Sequence, residues 1–182
     1  MNERNKHRLQ LAALMLLFAT PLTIAWLLSN SGWHPQHTRS SGTLVDPARN
    51  VAKAVVTLND GKSLPWQDAQ LHWTLLALPG PQCSLQCRNR LEEILRMRLT
   101  LGHDTDRLRV VYLGPTLSSD FIGQHKQLLV GSDVTNAFAN ERAQSDDSLA
   151  LALVDPRGWL VMRYPDGYSA RGVRSDIKKV IY

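Results

Sequence analysis

Cysteine is nearly absent from this chain, whose 182 residues include two, Cys83 and Cys87. A structural zinc site takes four Cys or His ligands, and only these two stand clustered, so zinc is a poor fit. Also missing are a Ser-His-Asp order, a glycine loop that would cradle a phosphate and a pair of catalytic carboxylates, which leaves hydrolase and nucleotide-binding readings without support. The formal net charge is +5, but charges of both signs are interspersed. There is neither a dense basic stripe nor aromatic interleaving, so nucleic acid is not expected as a partner.

What is present begins with Leu9 to Leu28, a run of 20 residues without a charge. At about 1.5 Å per residue, such a helix spans the roughly 30 Å hydrocarbon core of a bilayer. Arg4, Lys6 and Arg8 precede it against a lone Glu3, so the positive-inside rule keeps residues 1–8 in the cytoplasm and places the remainder outside. A cleaved signal peptide also starts this way. The run exceeds the ~7–15 residues of a signal core, however, and after Thr23-Ile24-Ala25, the nearest candidate cleavage site, it continues apolar through Trp26-Leu27-Leu28. Pro21 is tolerated in a membrane helix, and Trp26 and Trp33 suit the outer interface.

Residues 29–50 are rich in Ser, Gly, Pro, His and Arg without apolar periodicity, and they read as a flexible tether. His34 and His37 within it lack a Cys or carboxylate cluster, so they read as solvated linker residues. Residues 51–182 are long enough for one compact domain. Val55 to Leu58, ending at Asn59-Asp60-Gly61, reads as a strand and turn. Leu71 to Leu78 is almost continuously apolar, the mark of a strand covered on both faces, and it stops at Pro79-Gly80-Pro81.

After the cysteines, Leu91, Ile94, Leu95 and Leu99 fall at helical spacing, with Gly102 as a stop. Leu108 to Leu113 reads as a second core strand and Phe121 to Val130 as a further helix. Leu149 to Val154 and Trp159 to Tyr164 flank Asp155-Pro156-Arg157-Gly158, a type I turn signature that makes them a hairpin. Val173, Ile177, Val180 and Ile181 predict a closing amphipathic helix. The order strand, helix, strand, helix, hairpin, helix describes an α/β sandwich with a mixed central sheet, and strand-CxxxC-helix near its start fits a thioredoxin-like domain.

Cysteines four apart at a helix start share a face, about 6 Å between Cα atoms, and can either close a disulfide or clamp one ion. Cys83 is placed at or before the helix N-terminus, where free N–H groups and the helix dipole favour a thiolate, and Arg88 and Arg90 add positive charge. Thiolates attack disulfides and bind soft metals such as copper(I). A plain structural disulfide remains open as well, though one closing so short a loop gives little chain-entropy stabilisation.

These residues resemble the SCO/SenC family of copper chaperones and thiol-disulfide proteins for cytochrome c oxidase assembly. The resemblance rests on the strand Trp73–Leu78 leading into Cys83-x-x-x-Cys87, the strand Leu108–Leu113, and the Asp155-Pro156-Arg157-Gly158 hairpin followed by a terminal helix. It covers roughly Val51 to Tyr182. It implies that Cys83 and Cys87 are the copper-binding and redox cysteines, with the protein anchored once in the bacterial inner membrane and its domain facing the periplasm. The implied partner is a cytochrome c oxidase subunit or another oxidase assembly factor.

The family's third ligand, a histidine nine residues before the turn proline, is replaced by Asp147. A carboxylate suits copper(II) better than copper(I). Ser84 and Arg88 stand where the family has prolines, and the segment between the second strand and the hairpin is shorter. The departures shift weight from copper delivery toward thiol redox. His72, His103 and His125 are candidates to replace the histidine, each with an ordinary surface or strand reading beside it. Two alternatives stay open: a general periplasmic thiol-disulfide oxidoreductase, and a non-catalytic, oxidase-associated scaffold with a permanent disulfide.

Overall fold

The computed structural model describes residues 3–30 and 40–181. Residues 31–39 of the expected tether, with Trp33, His34 and His37, lie outside the described residues. The chain divides into two units, Met1–Arg39 and Ser40–Tyr182. The first holds helix α1, Glu3–Asn30, of which Lys6–Leu28 is long and apolar enough to cross a membrane. Its large apolar side chains, from Leu11 to Leu28, are exposed, as a span meeting lipid rather than protein requires.

In the second unit, the described residues form one mixed sheet in the order β1-β7-β6-β3-β4-β5-β2. The strands are β1 Thr43–Asn50, β2 Val56–Leu58, β3 Trp73–Pro79, β4 Leu108–Leu113, β5 Leu128–Asp133, β6 Leu149–Val154 and β7 Trp159–Tyr164. β3, β4 and β5 run parallel, and β6, β7, β1 and β2 pair antiparallel to their neighbours. Helices α2 Leu85–Leu99, α3 Ser119–Gln124 and α4 Ala170–Val180 complete the unit.

Two sequence expectations are corrected. Thr43–Asn50, read as the end of the tether, is an edge strand on β7. It is mostly exposed and carries Pro47, and its register slips between Leu44 and Arg49. It therefore shows no alternation, and its proline and irregular register discourage further strand addition. The helix expected from Phe121 to Val130 ends at Gln124, and β5 begins at Leu128. Between them His125 donates its N–H to Ile122 and accepts from Leu128, turning the chain where the apolar count alone suggested continuity.

The central strands are buried on both faces, and their alternation sorts the core. Leu75, Ala77, Val110, Tyr112, Leu151 and Leu153 pack with Leu91, Ile94 and Leu95 of α2 and Val173 and Ile177 of α4. Leu76, Leu78, Val111, Leu113, Ala152 and Val154 pack instead with Trp66, Phe138 and Val56. The second face is thus closed by loop aromatics rather than helices, which is why the apolar run of β3 is continuous although helices cover one side. Each fully buried Leu contributes about 1.5–3 kcal/mol. The Asp155–Gly158 turn forms as expected: Gly158 donates to Asp155 at 3.0 Å, and its φ of +81° is one that glycine tolerates.

Candidate thiol site at the start of the second helix

β3 carries the chain through the sheet centre and releases it at Pro79-Gly80-Pro81, so Cys83 emerges at the edge where β3 ends and α2 begins. Cys83 and Cys87 form a disulfide, with Cα atoms 5.1 Å apart. The two sulfur-bearing residues differ sharply in access: Cys87 is fully buried against the α2 face of the core, while Cys83 is only partly buried. Leu85, between them, is exposed.

Ser84 occupies the N-cap position of α2, but its side chain makes no capping bond. The cap comes from far along the chain. Asp147 Oδ1 accepts the N–H groups of Ser84 at 2.6 Å and Cys87 at 3.0 Å, and Oδ2 accepts that of Gln86 at 3.0 Å. A free helix start needs such acceptors, and a carboxylate also suits the positive end of the helix dipole. Asp147 returns the bond through its own backbone, donating its N–H to the Gln82 carbonyl at 3.1 Å. It does so with φ at +55°, a conformation that Asp adopts more readily than most residues.

The Asp147 carboxyl is held below its ordinary pKa, first by the Cys87 N–H, against the opposing effect of burial, and then by the Gln86 and Ser84 N–H groups and the charge of Arg88. Arg88 also donates from Nε to the Ser84 carbonyl at 3.0 Å. Arg90, expected to act on the cysteines, instead lies over the Tyr168 ring at 5.6 Å and pairs with Glu93 at 3.6 Å.

The candidate histidines have other company. His72 precedes β3, at the opposite end from the cysteines, and its Nδ1 lies 2.7 Å from Asp68 Oδ2. His103 is exposed in the short 3-10 turn Gly102–Arg107. His125 packs against Phe121, with ring centroids 4.6 Å apart and the planes tilted by 53°, and its Nε2 is 3.9 Å from Glu92. Among the described residues no three His, Cys, Asp or Glu side chains are grouped so as to hold an ion. Reduction would free two thiolates, but both oxygens of Asp147 already accept backbone N–H groups. Of the expected copper donors, Cys83 and Cys87 are here joined to each other and Asp147 is engaged at the helix start, with at most one acceptor site of Oδ2 left over.

Asp147 stands out in the sequence by its spacing from Pro156, where it reads as a metal ligand and not as a helix cap. The signal for that role was a helix start whose own N-cap region supplies no acidic residue, paired with an acidic loop before a core strand.

Residues 73–181 match the family model described as "Transmembrane-like, thioredoxin-like, C-terminal domain". No curated protein matches the chain. Among solved structures it is similar to yeast Sco1, with 18% identity and a TM-score of 0.56 over 70% of this chain and 91% of that one. It is also similar to Xanthomonas campestris peroxiredoxin Q, with 12% identity and a TM-score of 0.53 over 80% and 100%. Bradyrhizobium japonicum ScoI with copper bound gives 15% identity and a TM-score of 0.51 over 69% and 96%. At these identities the likeness is one of fold, and the fold is thioredoxin-like, with a mixed central sheet.

Proposed function

Because the chain belongs to the transmembrane-like, thioredoxin-like C-terminal domain family, we propose that it is a membrane-anchored thiol-disulfide protein serving cytochrome c oxidase assembly from the periplasmic side of a bacterial inner membrane. Residues 1–8 are then cytoplasmic and 9–28 span the membrane, with the globular domain tethered outside. The observation that carries the thiol chemistry is the unequal access of the two cysteines, Cys83 partly open and Cys87 fully buried, at a strand-to-helix junction. A permanent structural bridge has no need of that asymmetry; an attacking thiol and a resolving thiol do.

In the working direction the Cys83 thiolate attacks one sulfur of a partner's disulfide. A mixed disulfide forms and the partner's other sulfur leaves as a thiolate, which takes up a proton. Cys87, losing its proton, then attacks Cys83 Sγ and closes the Cys83–Cys87 bond, releasing the partner as a dithiol. Two electrons have moved from this pair to the partner. The partner in this reading is an oxidase subunit or another assembly factor whose copper-site cysteines must be reduced before they accept metal.

The likeness to copper-bearing ScoI supports a rival, transient copper(I) binding by the two thiolates alone. One preparation separates the readings: the full chain in detergent, equilibrated in dithiothreitol buffers and, once reduced, titrated with copper(I) against a competing chelator. Thiol exchange predicts reversible two-electron reduction with weak copper retention. Near-stoichiometric copper(I) retention lost in Cys83→Ser would favour copper delivery, and transfer to unrelated disulfide substrates a general oxidoreductase. A pair that stays oxidised throughout would leave the scaffold with a structural disulfide.

A further inference from the structure

Reduced, a Cys83 thiolate at the start of α2 would draw on the same backbone donors that Asp147 already occupies, those of Ser84, Gln86 and Cys87. It would also face a carboxylate bound to its own loop. The disulfide carries no charge and meets neither penalty. We infer that Asp147 sets the redox poise of the Cys83–Cys87 pair, biasing it toward the disulfide and so making the reduced pair a strong electron donor. The inference rests on the thiol-exchange reading above and assigns Asp147 a positioning role there, acting through the helix start and not on the partner.

The charge arrangement has an opposing member. Arg88 is bound to the Ser84 carbonyl and acts on Asp147, so it offsets part of the carboxylate's field. In the reductive half-reaction a dithiol gives two electrons to the Cys83–Cys87 bond. Its first thiolate attacks Cys83 Sγ, Cys87 leaves and takes up a proton, and its second thiolate expels Cys83, leaving the donor as a disulfide. Every negative charge that arises on Cys83 along this path does so beside Asp147. Regeneration of the working form therefore calls for a dithiol donor of still lower potential on the same side of the membrane.

Asp147→Asn removes the charge and keeps one acceptor oxygen, enough for the Ser84 and Cys87 N–H groups that share Oδ1, while the Gln86 N–H loses its acceptor; Asn is itself a favoured cap. In the full chain in detergent, equilibrated with dithiothreitol and its oxidised form at neutral pH, the variant is expected to move at least tenfold toward the dithiol, a rise of about 30 mV for this two-electron couple. Arg88→Met should move the equilibrium the other way. A folded Asp147→Asn protein with the wild-type potential would overturn the inference. If Asp147→Asn fails to fold, Arg88→Met decides, and an unmoved potential there overturns it. Should the wild-type pair resist reduction altogether, the thiol-exchange reading falls. The poise assignment then stands if Asp147→Asn becomes reducible in the same buffer and falls if it does not.

Discussion

The carbonyl oxygen of Ser145 lies where a Cβ on residue 80 would have to be, so Gly80 brings the loop before Cys83 into backbone contact with the loop that carries Asp147. The Gly80 N–H also donates to the Ser148 carbonyl at 3.1 Å. The partner of the added carbon is backbone, not a side chain that can swing away. Gly80→Ala should therefore destabilise the protein by about 1–3 kcal/mol through overpacking, read as a lower urea midpoint. The same variant should loosen the Asp147 cap, seen as faster amide hydrogen exchange at Cys87. An unchanged midpoint and exchange rate would mean that the two loops are not braced against each other.

Asp176 is a second carboxylate used to hold backbone. It is almost fully buried in α4, and its Oδ2 accepts the N–H groups of Ser41 at 2.7 Å and Gly42 at 3.1 Å, while Lys179 lies 3.1 Å from Oδ1. Asp176→Ala leaves the buried Gly42 donor unsatisfied and should lose about 1–3 kcal/mol. Limited proteolysis should then cut near Ser41 and Gly42 faster than in the wild type, with the rest of the domain as resistant as before. Uniform loss of resistance would point to global unfolding in place of a released segment.

How much of this was legible in the sequence depended on whether the determinant was local. β3, β4, the β6–β7 hairpin, α2 and α4 follow from apolar spacing and turn residues within each segment. β1 could not be read, because an exposed edge strand interrupted by Pro47 lacks a buried face to set a period. β5 reads as helix because Phe121 and Ile122 and then Leu128 to Val130 supply apolar residues on both sides of the turn at His125. At the site, the two cysteines and even Asp147 were legible, but the bonds from Asp147 to Ser84, Gln86 and Cys87 span about sixty residues, and no local pattern encodes them. Arg90 departs from its expected place by the cysteines for the same reason, since Tyr168 that captures it arrives from the far side of the hairpin.

At the other end of β3, Asp68 gathers His72 at 2.7 Å and Arg109 at 3.1 Å, and Arg109 Nε donates to Thr74 Oγ1 at 2.7 Å. Partial burial works against ionisation of Asp68, but hydrogen bonds from the His72 side chain and backbone, with the charges of His72 and Arg109, outweigh it and hold the pKa below its ordinary value. A carboxyl with a lower pKa folded than unfolded adds stability above its unfolded pKa, near 3.9, and loses it as pH falls through the folded one. Asp68→Asn should thus be less stable than wild type by about 1–2 kcal/mol near neutrality, with the gap closing below about pH 4. Denaturant midpoints measured from pH 2.5 to 7 check this, and a gap that persists at the acid end would assign the loss to packing instead of charge.

Single-cysteine variants read the site's asymmetry directly. Cys87→Ser leaves Cys83, which is partly open, beside the exposed Leu85; Cys83→Ser leaves Cys87, fully buried beneath the first turn of α2, with its own N–H on Asp147. Thiol-disulfide exchange needs both a thiolate and an in-line approach to it. Burial in apolar surroundings raises a thiol's pKa and blocks that approach. With an aromatic disulfide reagent, Cys83 in the Cys87→Ser variant should react at least about tenfold faster than Cys87 in the Cys83→Ser variant. Only the former should trap a mixed disulfide with a partner. Both rates should converge in denaturant, where the fold no longer distinguishes the sulfurs. Equal rates in the native state would remove the division into attacking and resolving thiols, and with it the observation on which the exchange reading stands.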